Sequence, residues 1–282
     1  MVKDITVNKG YVQTYANTGA APAWVAASGE PVYRWKPIGA DRTAAKSFAG
    51  CFDGDGNEIS GIVVTASGSY NEGLFGGAGA GSEFKNFRLV NSFIRTTGVY
   101  IGMIAWGAPS LIENVYTDMT WYLERTASSN DMQAGAFAGY ITGYGTDKTT
   151  TLNNCWFDGE IYRTNGSCIA TFVGGVGASS STLNFTNCLS TGTVKNIAGN
   201  KFAPFLSHHS WSNLTVNIKN CVVLGDYEAG SVTNVGSLVS TMNGTVNADH
   251  VYVSNALKNT AEKLFGIHKS CVIYNGVQDI FM

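Results

Sequence analysis

The chain has 282 residues, with 34 Gly, 5 Pro, 44% hydrophobic residues, only 13% charged residues and a formal net charge of -2. A charged share about half the usual one excludes a disordered polyelectrolyte, and the absence of any apolar run of about 18 residues excludes a membrane-spanning helix. The near-neutral charge supplies none of the clustered Lys and Arg that nucleic-acid readers present, so neither nucleic acid nor membrane insertion is an expected partner.

From the beginning of the chain, MVKDITVNKGYVQ lacks the basic, apolar and small-residue regions of a secretory signal; the expectation is a signal removed or never used. Residues 1–47 read as an N-terminal cap and lead-in to a first coil, and 266–282 as a C-terminal edge, within one domain spanning 1–282. Between them the sequence repeats. FKNFRLVN, IENVYTDM, LNNCWFDG, FTNCLSTG and IKNCVVLG share an apolar residue, one variable residue and then Asn, at positions 86, 114, 154, 187 and 220. Degenerate copies at Ile59-Ser-Gly61 and Ala248-Asp-His250 raise the number to seven. A second marker keeps the same step: GLFG, GMIA, GAFAG, ATFVGG, APFLS, GSLVS and KLFG carry large residues at Phe75, Ile104, Phe137, Phe172, Phe205, Leu238 and Phe265. A third short strand follows the Asn in several copies, as in SFIRTT, TWYLER, GEIYRT and GTVKNI.

One such repeat cannot bury its own apolar face, so the copies must stack, each pairing in parallel with the next. The expectation is an all-β, right-handed parallel β-helix (β-solenoid) of roughly seven three-strand coils, the hand following from the rule for parallel crossovers. A β-propeller or a leucine-rich repeat would need a different period or Leu pattern. Apolar residues two before the Asn (Phe84, Ile112, Leu152, Phe185, Ile218) and immediately after it (Phe87, Val115, Cys155, Cys188, Cys221, Val251) are both placed inward. The change of parity requires a corner at the Asn, a residue that tolerates the left-handed region and whose amide can bond the next coil. The 40-residue step between Asn114 and Asn154 leaves an insertion near 125–130, read as a protruding loop.

WKPIG at 35–39, FAGCFDGDGNEISGI from Phe48 and GLFG at 73–76 resemble the opening of bacterial proteins carrying the GLUG motif. The resemblance runs from about residue 33 to 265. It implies a secreted or surface-exposed β-solenoid, often one module of a large adhesin-like, protease-associated or carbohydrate-active protein. It brings no catalytic motif: Phe52, Asp53, Gly54, Gly56, Ile59, Gly73, Leu74 and Gly76 read as turn and core positions. Asp55 and Glu58 depart from it, standing where the family often has Asn and Thr.

The string Asp53-Gly-Asp55-Gly-Asn57-Glu58 is read as an Asp-Gly turn, because an EF-hand would need Gly at Glu58 and Glu at Val64. Asp118 and Asp158 hold equivalent places four residues beyond the Asn. Stacked, they would approach the roughly 5 Å spacing of a retaining glycosidase pair, against the plainer reading of two corner residues. The outward column Arg88, Tyr116, Trp156, Leu189, Val222 and Tyr252 begins with a surface on which a sugar ring or a partner's side chain could stack; β-propensity and lateral packing under a loop are the ordinary explanation. Arg88, Tyr116 and Trp156 are the candidate ligand-binding residues. The Cys155, Cys188 and Cys221 column is read as buried thiols, and His208-His209 as a loop or corner pair without a metal set. No metal site and no cofactor is called.

These readings favour a noncatalytic, adhesin-like module that binds a glycan or a host or cell-surface protein, at the surface of a bacterium or outside it. The alternatives are a polysaccharide-active β-helix enzyme, hydrolase or lyase, using Asp118 and Asp158, or a phage tail fibre or tailspike segment on a virion surface.

Overall fold

A computed structural model describes residues 3–39, 46–66, 71–125, 132–142, 148–164, 168–196, 198–209, 211–228 and 230–253. Their strands stack into four parallel sheets that wind into a β-solenoid. The first sheet carries the Asn repeat, with strands Glu58–Ser60, Glu83–Val90, Leu111–Thr117, Thr149–Phe157, Thr182–Thr186, Leu214–Val223 and Gly244–Val253 in register. The second holds the short strands that follow it, among them Phe93–Thr96, Thr120–Leu123, Glu160–Arg163 and Thr193–Asn196. The third and fourth flank the Gly-rich marker, as in Gln133–Gly135 and Ala138–Thr142.

Each coil therefore has four strand segments, one more than the repeat analysis assigned. The reason lies in the marker, which is a tight bend between two strands. A Cβ on Gly135 would sit 2.5 Å from the amide nitrogen of Gly174, so the third and fourth sheets can meet only where side chains are missing. About five full turns are complete, fixed by the five strands of the fourth sheet, where the repeat count gave roughly seven. The first copy reaches that sheet only through isolated bridges at Phe75 and Ala78. The last marker, Phe265, the C-terminal edge 266–282 and most of the 125–133 insertion lie outside the described residues.

The corner at the Asn is present. Asn86, Asn114, Asn154, Asn187 and Asn220 all have φ between 52° and 55°, and His250 takes the same turn at 50°. Strands that bend there point apolar residues inward on both arms: Phe84, Ile112, Leu152, Phe185 and Ile218 before it, Phe87, Val115, Cys155, Cys188 and Cys221 after it, are all buried. The marker residues form a second internal column. Phe137, Phe172 and Phe205 stack with centroids 5.5 and 5.1 Å apart and planes 13° and 4° from parallel. Burying each such ring contributes about 2–3 kcal/mol, and the coil spacing repeats it along the axis.

Residues 3–26 run along the outside. Ile5–Thr6 pairs with Ile59–Ser60, and an antiparallel hairpin, Gly10–Gln13 with Ala23–Ala26, encloses a single helical turn at Tyr15–Thr18. Asn8 donates to the Gly61 carbonyl at 2.8 Å, Asn91 donates to the Gly10 carbonyl at 2.9 Å, and the Val12 amide donates back to Asn91 Oδ1 at 3.2 Å. This segment is a strap laid across successive coils.

Candidate functional site

The strap crosses the corner between the first and second sheets, and a cleft of about 360 Å³ lies beneath it. Its floor is the short link from Thr117 to Thr120 in one coil and from Phe157 to Glu160 in the next. The inward residue of the link, Met119, is fully buried, and Asp118 before it turns outward. One coil on, a Cβ at Gly159 would lie 2.1 Å from the Met119 carbonyl oxygen, so only glycine permits this corner to stack. Asp118 and Asp158 consequently occupy equivalent places in adjacent coils, and the Asp158 amide donates to the Thr117 carbonyl at 2.9 Å. Both line the cleft with Tyr116, Thr120, Glu160 and Thr193, while Val12, Thr14 and Ala16 of the strap form the opposite wall.

Each acid is held differently. Asp118 accepts the Asn91 amide at 2.6 Å; burial raises its carboxyl above the usual range, against the opposing pull of that N–H and of Arg88. Asp158 accepts the Thr191 hydroxyl at 2.5 Å and the Tyr116 phenol at 3.4 Å, and the Trp156 indole N–H donates to the same Thr191 oxygen at 2.8 Å. Glu160 is 2% exposed and accepts the amides of Tyr15 at 2.6 Å and Ala16 at 2.8 Å. Burial raises its carboxyl too, and the two N–H groups offset that only in part. Tyr116 is pushed up to about 12 by burial and by the neighbouring Asp118 and Asp158 charges.

The sequence-predicted residues converge on this flank. Arg88 sits 4.8 Å above the Tyr116 ring and is paired with Glu58 at 3.4 Å, while Trp156 meets Tyr116 edge to face at 4.9 Å and 78°. Tyr116, Asp118 and Asp158 line the cleft; Arg88 and Trp156 buttress Tyr116 from outside it. Further along the same column the outward reading fails, because Leu189 and Val222 are buried, held in register within the stack of long strands. Sequence reading missed Glu160, Thr120, Thr193 and the strap. The legible signal was a single Glu in a register column otherwise containing Val63, Phe93, Thr120 and Thr193.

His208 and His209 are corrected as well. They lie on the strand Leu206–His209 and are buried. Lys201 Nζ bonds His208 Nδ1 at 2.7 Å, and burial with the Lys201 charge lowers that imidazole to about 4. His209 donates Nε2–H to the Ala178 carbonyl at 3.0 Å. The Asp53 loop is the expected turn: Asp53 Oδ1 accepts the Asp55 amide at 2.9 Å, and Asp55 and Gly56 have φ of 54° and 74°. Among the described residues no group of three or more His, Cys, Asp or Glu side chains is spaced to hold a metal ion.

No family model and no curated protein matches this sequence. Among solved structures the chain is similar to the crystal structure of a putative immunoglobulin A1 protease from Bacteroides ovatus, at 17% identity and a TM-score of 0.49, over 84% of this chain and 77% of that one. At that distance the likeness assigns no role to any residue here.

Proposed function

We propose that this β-solenoid is a noncatalytic, surface-exposed, adhesin-like module of bacterial origin that binds a glycan in the cleft beneath its N-terminal strap. The observation that carries the reading is the cleft itself. Its volume, about 360 Å³, lies at the low end of small-ligand pockets and suits one or two sugar units better than a protein segment. Its lining is rich in hydroxyl and carboxylate groups, the partners that sugar hydroxyls need. The acids are also tied into the fold: Asp118 to Asn91, Asp158 to Thr191 and Tyr116, Glu160 to the strap. Groups fixed in this way orient a ligand well and move protons poorly. The GLUG-like opening supports a surface location. A glycan array followed by calorimetry tests the reading: a hit whose affinity falls in Asp118→Asn and Tyr116→Ala supports it, and an array with no hit sinks it.

A second reading rests on Asp118 and Asp158 standing one coil apart, about 5 Å by strand spacing, with one carboxyl raised by burial. That is the arrangement of a glycosidase acid and its partner. Release of reducing ends from an oligosaccharide, abolished in both Asp→Asn variants, would replace the binding reading with this one.

A further inference from the structure

We infer that the cleft selects its sugar by charge, taking an amine-bearing sugar in preference to its N-acetylated counterpart and rejecting acidic glycans. The inference rests on the reading of the cleft as a glycan site. Three carboxylates line the cleft, Asp118, Asp158 and Glu160, and among the described residues no Lys, Arg or His lines it. The guanidinium of Arg88 lies outside the lining, turned onto the Tyr116 ring and paired with Glu58, which offsets part of its charge. Lys195 lies over the Tyr15 ring and is paired with Glu228.

A second observation points to a ligand independently of the acids. Thr120 stands on the outward face of its strand beside Glu160, lines the cleft and is 1% exposed. Its hydroxyl has no hydrogen-bond partner among the described residues, whereas the three acids of the corner are bonded to Asn91, to Thr191 and Tyr116, and to the strap. A buried hydroxyl left open in a polar cleft is completed by a ligand group or by water. The chemistry that satisfies this set is an ammonium group set among hydroxyls: the ammonium between Asp118 and Asp158, a ring hydroxyl on Thr120. An N-acetyl group removes the charge and two donors. A uronate or a sulfate brings like charge against carboxylates in a partly desolvated site, where repulsion is screened least. The raised carboxyl of Asp118 fits the same picture, since a cation beside it would relieve the strain of holding its charge under the strap.

The test compares three short oligomers of one length by calorimetry: glucosamine, N-acetylglucosamine and galacturonic acid. The expected order places the glucosamine oligomer about tenfold above the N-acetylated one, the discrimination that one charge-assisted hydrogen bond supplies, with no binding of the galacturonate. The preference should shrink in Asp118→Asn and Asp158→Asn. Should those variants misfold, raising the pH on the unaltered protein through the range where a sugar amine loses its proton provides the readout, because only the amine oligomer changes charge there. Equal affinity for the amine and the N-acetyl oligomer, or binding of the galacturonate, overturns the charge selection while leaving the glycan reading standing. Binding of none of the three, together with a blank glycan array, overturns both.

Discussion

The side-chain amide of Asn154 donates to Oδ1 of Asn114 across 2.8 Å, and both residues hold the left-handed conformation with φ of 52°. One coil earlier Asn114 bonds Asn86 in the same way, also at 2.8 Å, whereas Asn187 reaches Asn153 only at 3.5 Å. The column serves two separable purposes: it turns each strand and it links neighbouring coils. Asn154→Ala removes both, at about 1–2 kcal/mol for the left-handed strain and about 1 kcal/mol for the bond. Asn154→Gly keeps the turn and gives up the bond. Urea denaturation should therefore rank the proteins wild type, Gly variant, Ala variant. An Ala variant as stable as the Gly variant would mean that the turn costs nothing.

The thiols provide a test of the inward assignment. Cys155, Cys188 and Cys221 are fully buried and donate to backbone carbonyls, whereas Cys51 is exposed. Burial also pushes the Cys188 and Cys221 thiols well up, so the reactive thiolate is scarce even in mild alkali. A native thiol titration should modify Cys51 quickly and these three only after denaturant is added. Rapid native labelling of all three would contradict the core described above.

The repeat was readable because solenoid stacking forces one sequence position to meet the same environment in every coil. The columns at Asn114 and Asn154, at Val115 and Cys155, and at Phe137 and Phe172 are one-dimensional patterns with a three-dimensional cause. Asp118, Asp158, Tyr116 and Trp156 were legible for the same reason, since each sits at a fixed offset from the Asn. The strap was not, because it pairs residues far apart in sequence without periodicity: Tyr15 with Glu160, Gly10 with Asn91. The extra strand was missed because Gly135 and Gly174 look like loop residues, although they mark close approach of two backbones.

Glu160 fastens the helical turn of the strap to the coil beneath it. Glu160→Ala would leave the partly buried amides of Tyr15 and Ala16 without their charged acceptor, at a cost of about 1–2 kcal/mol, and Glu160→Gln should recover part of it through its carbonyl. Hydrogen exchange at those two amides reads the effect directly. The pH dependence has a definite sign. Glu160 and Asp118 both titrate above their ordinary values because of burial, so the closed state holds their protons more tightly than an open one. Their contribution to closure is full below the ordinary carboxylate range, about pH 4, and is lost as pH rises through the raised values. Exchange at Tyr15 and Ala16 should accelerate, relative to intrinsic rates, as pH rises across that window; slowing would reverse the assignment.

Trp156 decides between a binding face and lateral packing. It does not line the cleft, yet two of its contacts run into it: its ring edge meets Tyr116, and its indole N–H bonds Thr191, whose hydroxyl bonds Asp158. It is therefore a positioning residue, and its two contacts can be separated. Trp156→Phe keeps an aromatic ring against Tyr116 and loses the N–H, so stability should change little while the Thr191 hydroxyl is freed from one partner and Asp158 is less firmly held. Trp156→Ala loses both, forfeiting about 0.5–1.5 kcal/mol of aromatic contact in addition to the buried area. If the cleft binds glycan, affinity should fall in the order wild type, Phe, Ala, with the larger step following whichever of Asp158 and Tyr116 the ligand uses more. Circular dichroism must show the fold intact in both. With an intact fold and unchanged affinity in Trp156→Ala, the Arg88, Tyr116 and Trp156 column would be lateral packing alone, and the ligand would have to be sought on another face of the solenoid.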